Sequence, residues 1–469
     1  MQSLQNKLTR PAAASICYTT TAVLSKAVAL ITLPFFTARL GAAAFGRYAL
    51  YLCYEGLLFS AVSLGLGGAA IYRALNRFRG EEERMLGAAL FLSLAAALPI
   101  FPLCALPLHR KLSPLWVAVL FLQVLARLVF TLYGAKCRYL YRYRPLCLMN
   151  LFCDVGAPLL SIILLLLLPI GEQARILGGA IVSIFVGLIS LFALLRGRRK
   201  LFDKDALRYL LSLQLPLLPH YLSMAIMAEV GRLAVERVLG SEALGAYAVA
   251  HSVGFALALV TGSLSGAFQP WVLRKVRAGE SARVCKTTEL LTLLFCTLSL
   301  FPILAAPELF SILAPRAYAA GAVAVPALSF TVVLSFLATV PILAKLEREK
   351  PALISLPSLF SALSSLILCP ILARRLGLYG CALGVVLSYF VLFLSHALTL
   401  QKEQKSIVNV KICFLITLSF SAVGLLLPLL YPHPIFRLIL GLLYLFAAFM
   451  QASAQLPLVL EARAKKVPF

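Results

Sequence analysis

Charge is what this sequence has least of. Of its 469 residues only 13% are Asp, Glu, Lys or Arg and 61% are apolar, whereas an ordinary soluble domain carries about 25% charged residues. With a mean hydropathy of +0.95, the chain has a surplus of surface that water rejects, so a soluble globular fold is excluded and the solvent is lipid. Long polar stretches are missing as well. No segment between apolar runs exceeds roughly 16 residues, which excludes an extramembrane catalytic module and argues against a membrane-bound glycosyltransferase or polymerase with its acidic loop. The 11 Cys include no C-x-x-C, and most sit in apolar runs as small core residues, which excludes a disulfide framework or a zinc site. His109, His220, His251, His396 and His433 lack ligand spacing, and no nucleophile or P-loop occurs. The expectation is a protein that is not an enzyme and needs no cofactor or metal.

What is present is hydrocarbon in helix-long runs, such as Pro158 to Ile170, without the alternation of barrel strands. At ~20 residues per span plus connections, this length holds roughly 14 spans. The runs place them near 12–36, 46–72, 85–108, 114–135, 145–168, 175–195, 208–236, 244–269, 287–308, 323–344, 352–372, 381–400, 411–430 and 435–457. Lys7 and Arg10 precede a run that is too long, and too polar at Lys26, for a cleaved signal peptide. With the N-terminus inside, inner segments hold 30 Lys and Arg and outer loops hold 10. That bias puts both termini, including the tail Glu461 to Phe469, in the cytoplasm, and explains the net charge of +25 without nucleic acid. The inner loops Arg73-Ala-Leu-Asn-Arg-Phe-Arg, Lys136-Cys-Arg-Tyr-Leu-Tyr-Arg-Tyr-Arg and Arg196-Gly-Arg-Arg-Lys read as anchors to anionic lipid headgroups.

One segment occurs twice. Leu40-Gly41-Ala-Ala-Ala-Phe45-Gly46-Arg-Tyr48-Ala49 returns as Leu239-Gly240-Ser-Glu-Ala-Leu244-Gly245-Ala-Tyr247-Ala248, an offset of 199 residues. Six spans separate the copies, so the halves share one orientation. Parallel repeats of this kind describe a transporter with a central site. The expected organisation is a six-helix bundle over 1–200, its parallel repeat over 201–405, and a further helix pair with a cytoplasmic tail over 406–469. Pro34, Pro216, Pro219, Pro326 and Pro341 lie in or near spans, where they kink helices and permit gating.

The first copy, read from Leu33-Pro34 through Arg39-Leu40-Gly41, Phe45-Gly46-Arg47-Tyr48 and Leu64-Gly65-Leu66, resembles the opening of polysaccharide transporters of the MOP flippase superfamily. Gly245-Ala246-Tyr247-Ala248-Val249-Ala250, Ala267-Phe268-Gln269-Pro270-Trp271 and Leu376-Gly377-Leu378-Tyr379-Gly380 extend the likeness over most of the chain. That superfamily includes oligosaccharide-lipid flippases and multidrug and toxic compound extrusion antiporters. The resemblance implies an all-α polytopic membrane protein of two pseudo-symmetric six-helix bundles facing a central cavity. It implies a flippase that moves a polyprenyl-diphosphate-linked oligosaccharide from the inner to the outer leaflet of the cytoplasmic membrane for surface polysaccharide assembly, with a proton or sodium as a possible coupling ion. A cation-coupled drug or metabolite antiporter is the alternative. Relatives often place an Asp before the Arg of the seventh span. Here Gly231 precedes Arg232, and the nearest acid is Glu229.

Away from the span ends lie three bases and three acids: Lys26, Arg127 and Arg232 against Glu55, Asp154 and Glu229. Each costs roughly 2.5–3.5 kcal/mol at membrane depth and so marks a candidate site. Lys26 and Glu55 flank Gly41 evenly, as Arg127 and Asp154 flank the inner loop near residue 140, which predicts these two pairs at equal depth. Glu229 and Arg232 share a helix face. Two readings stay open. The charges neutralise one another and fix helix packing, or the bases hold a pyrophosphate while the acids keep the empty site near neutral. Leu64-Gly65-Leu66-Gly67-Gly68 reads as small residues for close helix contact, since no strand precedes it.

Overall fold

A computed structural model describes residues 2–196, 202–347, 352–401, 407–437 and 439–444, with 446 and 450. Every regular element among these residues is helical, as hydrocarbon requires when each N–H must find its partner within its own segment. Ten helices are long and apolar enough to cross a membrane. Large side chains stand out from their faces, among them Leu98 at 76%, Leu103 at 73% and Leu167 at 72% exposure. Water would reject such a surface, and lipid covers it. The protein is a multi-pass membrane protein.

Two of the ten helices contain a non-helical glycine: α1 (Gln2–Ser63) at Gly41 and the helix Ala352–Gln401 at Gly377. In a straight helix Phe36 and Tyr48 would stand about 18 Å apart. Yet the Arg175 guanidinium lies 3.3 Å from the Phe36 ring centroid and 4.6 Å from that of Tyr48, so α1 turns back at Gly41. In Ala352–Gln401 the backbone of Gly384 packs on Cys369 and that of Gly380 on Leu372, which is the same reversal. Each of these helices therefore supplies two passes. The expected eighth span is interrupted, and the fourteenth lies largely outside the described residues.

The chain forms two compact units, one of residues 1–236 with 240–245 and one of residues 237–239 with 246–469. The first contains α1, α2 (Ala69–Arg77), α3 (Glu82–Leu108), α4 (Pro114–Tyr139), α5 (Tyr143–Leu167), α6 (Glu172–Leu195), α7 (Lys204–Gln214) and most of α8 (Leu218–Leu239). Pro114 begins α4 where its missing N–H costs nothing. Asp203 caps α7 by accepting from the Ala206 N–H at 2.9 Å. Pro216 sits in the 3-10 turn Leu215–Leu217 that separates α7 from α8, breaking the span read at 208–236. The second arm of α1 runs parallel to α4, with Tyr51, Leu58 and Val62 packed on Val124 and Leu128. Glycines set the close contacts of α6 with the parallel α4 and the antiparallel α5. A Cβ on Gly187 would lie 2.6 Å from that of Ala126, and one on Gly178 would lie 2.4 Å from Ser161 Oγ. Gly65 and Gly67 likewise make room for the Tyr221 ring and the Thr131 methyl, which is the close contact expected of the Leu64–Gly68 segment.

In the second unit most of α9 (Ser241–Gly254), the 3-10 turn Phe255–Leu257 and α10 (Ala258–Arg277) are followed by α11 (Ser281–Leu304), α12 (Ala306–Leu313), α13 (Val325–Glu347), α14 (Ala352–Gln401) and α15 (Val410–Leu426). The central helix is α13, buried along most of its length with α10, α11, α14 and α15 around it. Phe336 meets the Phe295 ring edge-on at 4.7 Å. The parallel course of α11 and α15 shows in Thr292 beside Cys413 and Cys296 beside Thr417, both 121 residues apart. Arg437 seals the end of α11 by donating to the Leu304 carbonyl at 3.0 Å and to both Glu308 oxygens at 2.7 Å.

Glycines of positive φ recur in matched places. Gly41 (φ 74°, ψ 167°) and Gly240 (φ 88°, ψ 175°) share a conformation that only glycine adopts readily. Gly80 and Gly279, also 199 residues apart, have φ of 87° and 73°. The turns after α5 and within α14 match as well, Gly171 at φ 57°, ψ −131° and Gly377 at φ 61°, ψ −142°. Within the first unit the two repeated segments touch reciprocally. A Cβ on Gly46 would lie 1.8 Å from the Ser241 carbonyl oxygen, and one on Gly245 would lie 2.1 Å from that of Ala42. Because 42 corresponds to 241 and 46 to 245, each copy offers the other the same glycine and the same carbonyl.

Candidate functional site

Four of the six expected site residues gather around the second arm of α1. Tyr51 donates its hydroxyl to Gln123 Oε1 at 2.9 Å, and one turn on Arg127 Nη1 donates to Glu55 Oε1 at 3.2 Å. Both contacts join residues 72 apart, as parallel helices in fixed register require. Glu55 is nearly enclosed, its side chain 11% exposed, whereas that of Arg127 is 46% exposed. The Arg127 guanidinium also lies 4.3 Å from the Phe59 ring centroid, a cation–π contact that fixes its plane.

The other flank of the same arm meets α8. Gly56, next to Glu55, stands where a Cβ would come 3.0 Å from Glu229 Oε1, so the missing side chain leaves room for that carboxylate. Arg232 Nη2 lies 2.6 Å from Glu229 Oε2, with the two side chains 18% and 13% exposed. The Arg232 Nε is buried and donates to no group among the described residues. Adjacent residues of one helix thus address two acid–base pairs, one carried in part by α4 and one by α8.

The pairing of the remaining charges differs from expectation. Glu55 is paired with Arg127 and not with Lys26, and Asp154 accepts from Ser25 Oγ on the first arm of α1 and not from Arg127. Lys26 is exposed and belongs to no ion pair among the described residues. Equal depth is a constraint on height alone. Rotation about the helix axis decides which neighbour a side chain meets, and here it turns Glu55 toward the parallel α4. A constant spacing of 72 residues, shared by a Tyr–Gln and a Glu–Arg match, was the available signal for this register.

Sequence reasoning passed over two further charged groups. Near Gly41, Arg47 binds both Glu172 oxygens at 2.6 and 3.1 Å, beside Arg175 between its two rings. In the second unit Lys345 and His396 are fully enclosed together. Their 51-residue separation left no pattern to read.

The sequence model of the polysaccharide biosynthesis protein family matches residues 12–274. No curated protein matches the sequence. Among solved structures, the lipid II flippase MurJ in an inward closed conformation is similar over 95% of this chain and 99% of that chain, at 14% identity and a TM-score of 0.65. An inward-facing multidrug resistance MATE family transporter of the MOP superfamily is similar over 83% and 96%, at 16% identity and a TM-score of 0.60. A MOP superfamily transporter from Pyrococcus furiosus gives the same coverage at 13% identity and a TM-score of 0.57. At such identities the likeness is one of fold. With more than half of its length matched by the family's sequence model, the chain belongs to the polysaccharide biosynthesis protein family and carries the fold of the MOP superfamily.

Proposed function

We propose that this protein is a flippase that carries a polyprenyl-diphosphate-linked oligosaccharide from the inner to the outer leaflet of the cytoplasmic membrane by alternating access. The observation that carries the reading is Arg127. It gives one N–H to a nearly buried Glu55, and it keeps a half-exposed guanidinium edge with further donors at membrane depth. Such an edge matches phosphate oxygens. Arg232, 18% exposed and paired with Glu229, adds a second guanidinium. Their carboxylate partners keep the empty site near neutral, which lowers the cost of holding arginines in the membrane. Lys26 and Asp154 complete the proposed set as flanking groups along the substrate path.

The matched glycines support a parallel repeat of 1–200 in 201–405, followed by an added segment at 406–469. The basic bias supports termini in the cytoplasm. In this reading the diphosphate and glycan occupy the polar path while the polyprenyl tail stays in lipid, which avoids carrying sugars through hydrocarbon. The partners are the lipid-linked oligosaccharide, the bilayer and a coupling ion, proton or sodium. A cation-coupled antiporter is the second reading, favoured by two nearly enclosed carboxylates, Glu55 and Glu229. Surface glycan is measured in a strain lacking its native flippase, with membrane protein level as the control. Export restored by the wild type and lost in Arg127→Ala and Arg232→Ala supports the first reading; normal export by both variants removes these arginines from the site.

A further inference from the structure

The first arm of α1 packs against α5. Ser25 Oγ donates to Asp154 across a separation of 129 residues. Two turns nearer the N-terminal ends, the Cys147 thiol is hydrogen-bonded to Cys17 and to Thr21, and Cys17 and Cys147 are 130 residues apart. A nearly constant separation is the mark of two helices running parallel in register, since each advances about 1.5 Å per residue. Thr21 stands one turn above Cys17 and one turn below Ser25. Cys147 therefore sits in the notch between Cys17 and Thr21, beneath the bond from Ser25 to Asp154.

The two thiols differ in access. Cys147 is 6% exposed, whereas Cys17 is partly open beside the exposed Ile16. A reagent meets Cys17 first, and Cys147 only through Cys17. The thiols of Cys369 and Cys381, which touch across the α14 hairpin, are enclosed on both sides and offer no such entry.

We propose that Cys17 and Cys147 form a redox-modified pair, closed to a disulfide by exchange with a small-molecule disulfide and reopened by a thiol. The Cys17 sulfur attacks one sulfur of the small disulfide, R–S–S–R. A mixed disulfide forms on Cys17, and the first R–S⁻ leaves with the Cys17 proton as a thiol. The Cys147 sulfur then attacks Cys17 Sγ, the bond from Cys17 to S–R breaks, and the second R–S⁻ leaves with the Cys147 proton. Two electrons pass from the cysteine pair to the small disulfide, which ends as two thiols.

Closure draws the two sulfurs from hydrogen-bond contact to about 2.05 Å, and so draws together the N-terminal ends of the first arm of α1 and of α5. With Ser25 and Asp154 joined two turns further on, the arm is then held to α5 at two levels. This is a single reversible link and not a structural framework. On the charge bias of the loops, these helix ends lie on the cytoplasmic side, where thiols are kept reduced. The pair is therefore open at rest and closes as small disulfides accumulate. It is separate from the arginines of the first unit and does not rest on the flippase reading.

The test uses the full chain in lipid nanodiscs, incubated with glutathione disulfide, alkylated and read by peptide mass spectrometry. In the wild type the peptides of Cys17 and Cys147 should emerge joined, with no glutathione left on Cys17, and dithiothreitol should separate them. Cys369 and Cys381 should stay reduced. Cys147→Ser should halt at the first step and retain glutathione on Cys17, whereas Cys17→Ser should leave Cys147 reduced. Backbone amide exchange in the first turns of α5 and around Cys17 should slow in the joined wild type, as a local tie requires. Wild-type Cys17 that keeps its glutathione, that does not react, or that joins another cysteine overturns the proposal, and so does a joined protein whose amide exchange is unchanged. Each of these outcomes is read on the wild type, so a variant that fails to fold leaves the proposal open to refutation. Glycan export plays no part in the readout, and failure here leaves the flippase reading as it stood.

Discussion

Arg127 reaches Glu55 from a helix that runs parallel to it, one turn beyond the bond between Tyr51 and Gln123. The pair is unequal, because the acid is enclosed and the base is half open. Removing Arg127 leaves a buried carboxylate without its counter-charge, an imbalance that costs about 3–5 kcal/mol in a fully buried pair and less where one partner is open, as here. Arg127→Ala should therefore lower thermal stability in detergent as well as export, whereas Arg127→Ala with Glu55→Gln should recover stability but not export. Recovery of both by the double variant would assign the pair to packing alone.

Arg→Lys at 127 should restore export only in part. The charge is kept, but the planar fork that fits two phosphate oxygens is lost. Full export by Arg127→Lys at equal membrane level would show that charge alone suffices.

Gly46 and Gly245 should respond alike. A side chain at either meets a main-chain carbonyl that cannot swing aside, and overpacking of this kind costs about 1–3 kcal/mol. Gly46→Val and Gly245→Val should lower the melting temperature by similar amounts, while Gly262→Val, at an open position, should leave it nearly unchanged. Gly41→Ala separates the two effects of glycine. Its Cβ would meet nothing within 4 Å, so its cost, about 1–3 kcal/mol, comes from the backbone conformation alone.

Asp203 gives a pH-dependent contribution. Arg84 donates to it at 2.5 and 2.9 Å, and together with the Ala206 N–H holds its carboxyl below the usual range. A carboxyl whose folded value is depressed stabilises the fold above its unfolded value of about 3.9, and that contribution fades as pH falls through the folded value. Asp203→Ala should lose about 0.5–2 kcal/mol at neutral pH through the lost cap. The gap between variant and wild type should close as thermal unfolding is followed downward from pH 5. A gap that stays constant to the acid limit would assign the effect to packing.

The sequence made the helical class, most of the passes and the Gly41 turn legible because each is written locally, in runs of hydrocarbon or in one glycine. What it left unread is azimuth: nothing near Glu55 in the chain says that its side chain turns toward residue 127 and away from 26. The same limit hid Lys345, which reads as an ordinary loop-edge lysine until α14 folds back and brings His396 and Thr399 to it.

The contact between Gly46 and Gly245 bears on how such a chain can change over time. Each glycine is the other turn's environment, so a larger residue at one position strains a carbonyl in the other copy, and no single replacement is neutral for both. Gly46 and Gly245 hold matched places in the repeat, and because each faces a carbonyl of the other turn, a side chain at either one presses on both.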